Sequence, residues 1–215
     1  MKLYIYDHCP FCVRARLMAG VRQMAVEEIV LLNDDEATPI GLIGAKQVPI
    51  LQKPDGSHMG ESLDIVHYLN ELSGNPPLAP ARAEVQAWFE RVNEYYNRLV
   101  QPRDVKLGLA EFATPEAIKY FVDKKEKTIG SFEKNLNKTA EYLAQIHADL
   151  ADLSALALSE NYLNGESVSV DDVLIFPVLR NLTMVRGLVF PDNLLNYVMN
   201  MSEQSGVDLF FDRAL

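Results

Sequence analysis

The N-terminal third of the chain alternates short runs of strand-forming residues with stretches of helical periodicity. Residues 3–6 (LYIY) are rich in strand formers and predict a first strand. After Pro10, which suits the first turn of a helix, apolar residues recur at helical spacing at Val13, Leu17, Val21 and Met24. Residues 26–31 (VEEIVL) predict a second strand. A strand, a helix and a strand within about 30 residues form a βαβ unit, so we expect the two strands to be parallel.

The pattern continues toward a hairpin and a further helix. Pro54-Asp55-Gly56-Ser57 is typical of a tight turn, which would join two neighbouring strands. The elements expected around this turn are a short helix, a strand, a returning strand and a final helix, at residues 37–43, 48–52, 57–60 and from Ser62 onward. The predicted order of elements in the N-terminal region is therefore β-α-β-α-β-β-α.

The rest of the chain has a helical pattern throughout. Residues 73–80 (SGNPPLAP) contain three prolines and a glycine and predict a linker. We expect Thr114 and Ser169 to be helix N-cap residues. The helices are expected at residues 81–103, 115–136, 138–157, 171–186 and 192–204. We therefore expect an α/β domain at residues 1–72, a linker at 73–80 and an all-α domain at 81–215.

Composition and charge narrow the classes of function. The chain has 215 residues, of which 48% are hydrophobic and 23% charged, as in an ordinary globular protein. Its formal net charge of −10 works against polyphosphate, so we expect neither nucleic acid nor an anionic membrane as a partner. The short positive run of residues 124–127 (KKEK) is interpreted as a solvated helix face.

Two features of the hydropathy pattern favour the cytosol. The apolar residues between Lys2 and Asp7 are too few for the core of a signal peptide, and no apolar run approaches the roughly 18 residues of a membrane span. We therefore expect a cytoplasmic protein. In that compartment, a close pair of cysteines is more often catalytic or metal-binding than structural.

The two cysteines of the chain form one motif, Cys9-Pro10-Phe11-Cys12, between the first strand and the first helix. A thiol at a helix N-terminus faces free N–H groups and the positive end of the helix dipole, which favour the thiolate. The dipole alone lowers a thiol pKa by about one unit. A larger effect needs hydrogen bonds from the Phe11 and Cys12 backbone or the Cys12 thiol, or help from Arg16. We expect Cys9 to be the nucleophile and Cys12 the resolving thiol.

Two other interpretations of the motif compete with this one. A cysteine pair can be half of a zinc site, but zinc needs four ligands and the histidines of this chain lack ligand spacing. The pair can also be two inert core residues. A CxxC motif between a strand and a helix argues against both, and we expect no metal.

Two further motifs suggest a binding site. Val48-Pro49 places proline at a strand, which fits either an open sheet edge or a cis bond that exposes the Val48 backbone to a ligand. Glu61-Ser62 stands at a helix start, where Ser62 and nearby N–H groups can hold a carboxylate and Glu61 an ammonium group. On the residues alone, a capping role for Ser62 beside an exposed Glu61 is favoured.

Taken together, these motifs resemble the glutathione S-transferase-like superfamily, and within it the bacterial glutaredoxins of that shape. The resemblance covers essentially the whole chain. It rests on the CPFC motif, the run Gln47-Val48-Pro49-Ile50-Leu51, the Glu61-Ser62 pair and the all-helical second half. Two departures are Phe11, where many glutaredoxins have tyrosine, and the missing Gly-Gly…Asp pattern of the small glutaredoxins.

The resemblance implies both fold and function. The fold is a thioredoxin-like N-terminal domain packed on an all-α C-terminal domain, with a capping box at Ser169–Asp172. Glutathione would act as co-substrate. Its cysteinyl backbone would pair with Val48 beside cis Pro49, and its sulfur would lie near Cys9. Its γ-glutamyl head would bind Glu61 and Ser62. The expected enzyme is a monomeric glutathione-dependent thiol–disulfide oxidoreductase. Its protein partners would be disulfide-containing or glutathionylated proteins, with glutathione reductase and NADPH closing the cycle.

Two alternatives remain open for the function. One is a cysteine-type glutathione transferase or dehydroascorbate reductase, which the two-cysteine motif disfavours. The other is a non-enzymatic binding module on the same fold, which an intact CPFC motif disfavours.

Overall fold

A computed structural model describes all 215 residues of the chain. The strands are β1 (Lys2–Ile5), β2 (Glu27–Val30), β3 (Ile50–Gln52) and β4 (His58–Met59). The helices are α1 (Pro10–Val21), α2 (Ala37–Ile43), α3 (Ser62–Leu72), α4 (Ala83–Asn93), α5 (Tyr96–Asp104), α6 (Pro115–Ile129), α7 (Phe132–Asn137), α8 (Thr139–Leu156), α9 (Val170–Leu182) and α10 (Asp192–Ser205). None of the ten helices combines the length and hydropathy needed to cross a membrane.

The four strands form one mixed sheet in the order β2-β1-β3-β4. β1 is parallel to β2 and antiparallel to β3, and β3 forms a hairpin with β4. The predicted order β-α-β-α-β-β-α and the parallel first pair are therefore confirmed. Pro49 is outside the sheet, because β3 begins at Ile50 and not at Val48 as the sequence predicts. An edge-strand role for this proline is thus wrong, and the Val48–Pro49 peptide bond is cis.

The helical half contains more breaks than its pattern predicts. The single helix expected at 81–103 is two helices, α4 and α5, which part at Glu94 and Tyr95. The helix expected at 115–136 divides at Gly130, whose φ of 79° favours glycine, and Ser131 then caps α7 by accepting from the Lys134 N–H. Thr114 caps α6 and the Ser169–Asp172 capping box opens α9, so both predicted caps are confirmed.

One hydrophobic core runs through both halves of the molecule. Helix α1 contacts α3 on one side and α9 and α10 on the other, so the helical half covers the helix that carries the cysteines. The approach is close at Gly20, where an added Cβ would lie 1.9 Å from the Ser205 carbonyl oxygen of α10. Residues 73–82 connect α3 to α4 without a helix or strand. The division into domains at residues 73–80 stays a prediction.

Candidate active site

Helix α1 presents the two cysteines at different depths. Cys9 is the N-cap residue and Pro10 the first residue of the helix, because proline at that position gives up no helical hydrogen bond. Cys12 lies in the first turn and is fully buried, whereas Cys9 is partly exposed. The Tyr6 backbone N–H donates to Cys12 Sγ over 3.4 Å, which fixes the inner thiol against the end of β1. Only the outer thiol can therefore meet a bulky disulfide.

The surroundings of the two thiols drive their pKa values apart. The pKa of Cys9 is lowered from 9.0 to about 6, and the largest cause is a hydrogen bond from the Cys12 thiol. Burial opposes this shift, whereas the charge of His8 and the backbone N–H groups of Cys12 and Phe11 add to it. Burial, followed by the neighbouring Cys9, raises the pKa of Cys12 well above 9.0. At neutral pH, Cys9 is thus a thiolate and Cys12 is the protonated group that donates to it.

The cation beside Cys9 differs from the one that the sequence suggests. Arg16 is engaged by Asp7 over 2.6 Å and by Glu28 over 2.8 Å. The charge of His8 lowers the pKa of Cys9, and the charges of Arg14 and Cys9 also interact. A hydrogen bond to Glu111 raises the pKa of His8 in spite of its burial. Sequence reasoning missed His8, since its partner is 103 residues away along the chain.

The four residues predicted to bind glutathione converge on one cavity. Val48, Pro49, Glu61 and Ser62 line it, together with Phe11 and Gln47, which the sequence did not assign to glutathione binding. Neither the N–H nor the C=O of Val48 forms a hydrogen bond with the rest of the protein backbone. An extended ligand would find one free donor and one free acceptor at this position.

The start of α3 differs in detail from the prediction. Glu61, at a φ of 60°, is the N-cap residue and makes no side-chain cap, so the capping role expected of Ser62 is wrong. Ser62 is instead the first helical residue, and its Oγ accepts from Arg14 Nη1 over 3.4 Å. Glu61 accepts from Gln47 Nε2 over 3.2 Å. The first-turn N–H groups of α3 are consequently left without a side-chain cap.

A second cavity connects Cys9 with this region. It is lined by Cys9, by the Gln47 and Val48 of the first cavity, and by three lysines, Lys46, Lys124 and Lys125. Cys9 therefore adjoins the predicted binding residues through Val48, while the buried Cys12 lines neither cavity. Within residues 124–127, interpreted as a solvated face, Lys124 is exposed, and both Lys124 and Lys125 border the cleft at Cys9.

The helical half holds the loop in front of Cys9 through polar contacts from Arg180, Asn181 and Glu111. Arg180 on α9 donates to Asp7 Oδ1 over 2.7 Å, and Asn181 donates to the His8 carbonyl oxygen over 2.7 Å. Glu111 accepts from the His8 backbone N–H over 2.9 Å. In the sequence, Arg180 stands out as a charged residue within an apolar helical pattern. Its side chain is fully buried in the structure. The peptide that precedes Cys9 is therefore positioned from the second half of the chain.

Known protein families match both halves of the chain. Residues 3–77 match the N-terminal domain of glutathione S-transferase, and residues 84–214 match the C-terminal domain of glutaredoxin 2. The chain is 46% identical to glutaredoxin 2 of Escherichia coli strain K12 over 216 residues, with 100% of both chains covered.

Two solved structures extend the comparison to three dimensions. Glutaredoxin 2 from Salmonella typhimurium, in complex with glutathione, has a TM-score of 0.96 and 46% identity over 100% of this chain and 98% of that chain. The β-etherase LigF from a Sphingobium species shares the fold, with a TM-score of 0.62 and 19% identity over 99% of each chain. These matches confirm the predicted fold class and the resemblance. The chain therefore belongs to the glutaredoxin 2 family and is a glutaredoxin, a glutathione-dependent oxidoreductase on the glutathione S-transferase fold.

Proposed function

We propose that this chain reduces glutathione mixed disulfides and protein disulfides through Cys9 and Cys12. The observation that carries the proposal is the pairing of a thiolate at Cys9, whose pKa is lowered to about 6, with a buried and protonated Cys12. Such a pair supplies a nucleophile and a second sulfur in one turn of helix.

The first half of the cycle begins when the Cys9 thiolate attacks one sulfur of the target disulfide. A bond forms between Cys9 and that sulfur, and the other sulfur leaves as a thiolate that takes up a proton. For a glutathionylated target, the product is a Cys9–glutathione disulfide. A second glutathione thiolate then attacks its glutathione sulfur, so that oxidised glutathione leaves and Cys9 returns as thiolate.

A protein disulfide takes the second route, through Cys12. Burial and the Cys9 thiolate hold the pKa of Cys12 high in the resting enzyme. Once Cys9 is part of a mixed disulfide, its charge is gone and Cys12 loses its proton more easily. Cys12 then attacks Cys9, a Cys9–Cys12 disulfide forms, and the target leaves as a dithiol. Two glutathione molecules reduce the enzyme, and glutathione reductase with NADPH recycles the oxidised glutathione.

Glutathione itself would bind in the cavity beside Cys9. The free N–H and C=O of Val48 would pair with its cysteinyl residue, and the carboxylate of Glu61 would hold the γ-glutamyl ammonium. Ser62 Oγ and the uncapped first turn of α3 would receive the γ-glutamyl carboxylate. The complex of the Salmonella relative with glutathione supports this proposal.

The setting of the reaction belongs to the same proposal. A cycle driven by glutathione needs a compartment that keeps thiols reduced, and we place it in the cytoplasm. The targets are proteins with a disulfide or a glutathionylated cysteine. A monomer suffices for this chemistry, since both cysteines and all four proposed glutathione-binding residues come from one chain.

The test compares two reactions of the same purified protein. We expect rapid glutathione-dependent reduction of a small glutathione mixed disulfide, followed through NADPH oxidation by added glutathione reductase. Conjugation of glutathione to an electrophile should be at background level. Conjugation without disulfide reduction would identify a transferase, and activity in neither assay would favour a binding module.

A further inference from the structure

A buried carboxylate from the helical half of the chain contacts the residue next to Cys9. Glu111 Oε1 accepts two hydrogen bonds from His8, from the backbone N–H over 2.9 Å and from Nδ1 over 2.7 Å. Glu111 is fully buried, and its second oxygen, Oε2, has no partner. The His8 ring is fixed in place because it stacks on Tyr6 and packs against Phe112 and Phe121.

The cations near this cluster are engaged elsewhere. Arg180 is bound to Asp7, and Lys125 lies over the ring of Phe121. His8 is thus the one group that hydrogen-bonds the Glu111 carboxylate through a side chain. The charges of Cys9, Asp104 and Glu111 act on His8, and the Tyr6 ring stacks on it. Lys46, Lys124 and Lys125 line a cavity together with His8, and Arg180 acts on the neighbouring Asp104.

We propose that Glu111 is a positioning residue for Cys9, because it keeps a positively charged imidazolium at His8 beside the thiol. The inference rests on the proposed role of Cys9 as nucleophile. It gives the helical half of the chain a part in setting the reactivity of a cysteine that belongs to the other half.

The electrostatics of the cluster agree with the geometry. Burial alone lowers the pKa of His8 and favours the neutral imidazole. The hydrogen bond to Glu111, followed by the charge of Asp104, outweighs burial, so the pKa of His8 is raised. The resulting positive charge lowers the pKa of Cys9. Asp104 is itself buried, with one oxygen unpartnered, and burial raises its pKa to about 7. Its ionisation near neutral pH adds to the field that holds the proton on His8.

The experiment measures the ionisation of Cys9 in variants that keep the shape of the cluster. Glu111→Gln removes the charge but keeps an acceptor for the His8 N–H, and His8→Asn keeps a donor to Glu111. Alkylation of Cys9 is followed against pH by peptide mass spectrometry. Each variant should raise the midpoint by about one pH unit, the lower end of the effect of an adjacent opposite charge. Glu116→Gln, an exposed carboxylate on the same half, should leave the midpoint unchanged.

A double variant separates positioning from a purely structural role. His8→Asn combined with Glu111→Gln should shift the midpoint no further than either alone, since Glu111 acts through His8. An unshifted midpoint in Glu111→Gln, additive shifts in the double variant, or an equal shift in Glu116→Gln would overturn the proposal.

The unmodified chain supplies a further check if Glu111→Gln fails to fold. An NMR titration of His8 should give a pKa above its ordinary value of 6.5, and a value at or below 6.5 would overturn the proposal. None of these readouts requires turnover. A shifted midpoint together with no glutathione-dependent activity would therefore count against the proposed function alone.

Discussion

The thiol of Cys12 makes the largest contribution to the thiolate at Cys9, and replacing it tests that attribution. The pKa of Cys9 falls from 9.0 to about 6. This difference corresponds to about 4 kcal/mol in favour of the thiolate, at about 1.36 kcal/mol per unit. A hydrogen bond to a charged group contributes about 1.5–3 kcal/mol. Cys12→Ala should therefore raise the pKa of Cys9 by about one to two units, to between about 7 and 8.

Cys12→Ser is the matched control, because its hydroxyl can still donate to Cys9. We expect it to keep the pKa of Cys9 within about half a unit of the native value. Each variant contains a single cysteine, so the thiolate absorbance in the ultraviolet reports Cys9 alone as pH rises. At pH 7, alkylation of Cys9 should slow by about two- to tenfold in Cys12→Ala.

The outcome in the two variants decides between a hydrogen bond and a change of packing. A native midpoint in Cys12→Ala would refute the role of the Cys12 thiol. Equal shifts in Cys12→Ala and Cys12→Ser would show that the buried volume at Cys12 matters and the hydrogen bond does not.

Three other substitutions test separate parts of the site. Cys9→Ser should abolish all disulfide exchange, whereas Cys12→Ser should retain activity on small glutathione mixed disulfides and lose most activity on protein disulfides; the reverse pattern in the coupled assay would exchange the two roles. Glu61→Ala should weaken glutathione turnover by about 10- to 100-fold, as expected for one charge-assisted hydrogen bond, and barely change the rate with a small neutral disulfide. Equal losses on both substrates would assign Glu61 to the fold. Burial raises the pKa of Asp104 from 3.8 to about 7. Between these two values, the native chain holds a proton that the unfolded chain releases, so the free energy of unfolding falls as pH rises. Asp104→Asn has no titrating carboxyl here, so between pH 5 and pH 8 its free energy of unfolding should fall by about 2 to 3 kcal/mol less than that of the native chain. Urea denaturation of both proteins at the two pH values measures this difference. The same loss in both proteins would contradict the assignment.

The sequence predicts those features that depend on local patterns. The order of strands and helices in residues 1–72 follows from periodicity and turn residues. The placement of Cys9 at a helix start follows from the strand before it and Pro10 after it. The convergence of Val48 and Glu61 on one cavity followed from the resemblance to a family, since spacing alone favoured a plain capping role.

The features that the sequence did not predict depend on contacts between distant residues. The bond between His8 and Glu111 joins positions 103 residues apart, and the bond between Arg14 and Ser62 joins positions 48 apart. No local pattern encodes such a pairing. The breaks in the long predicted helices differ in this respect, because Gly130 carried a readable signal and the break at Tyr95 did not.

The central claim, that Cys9 is the nucleophile and glutathione its partner, is tested most directly by trapping the intermediate. Cys12→Ser protein is exposed to oxidised glutathione, the low-molecular-weight disulfide is removed, and the adduct is located by peptide mass spectrometry. We predict one glutathione bound through a disulfide to Cys9, formed rapidly at pH 7 and released by reduced glutathione. A chain that stays unmodified under these conditions, with Cys9 free and reduced, would contradict the claim.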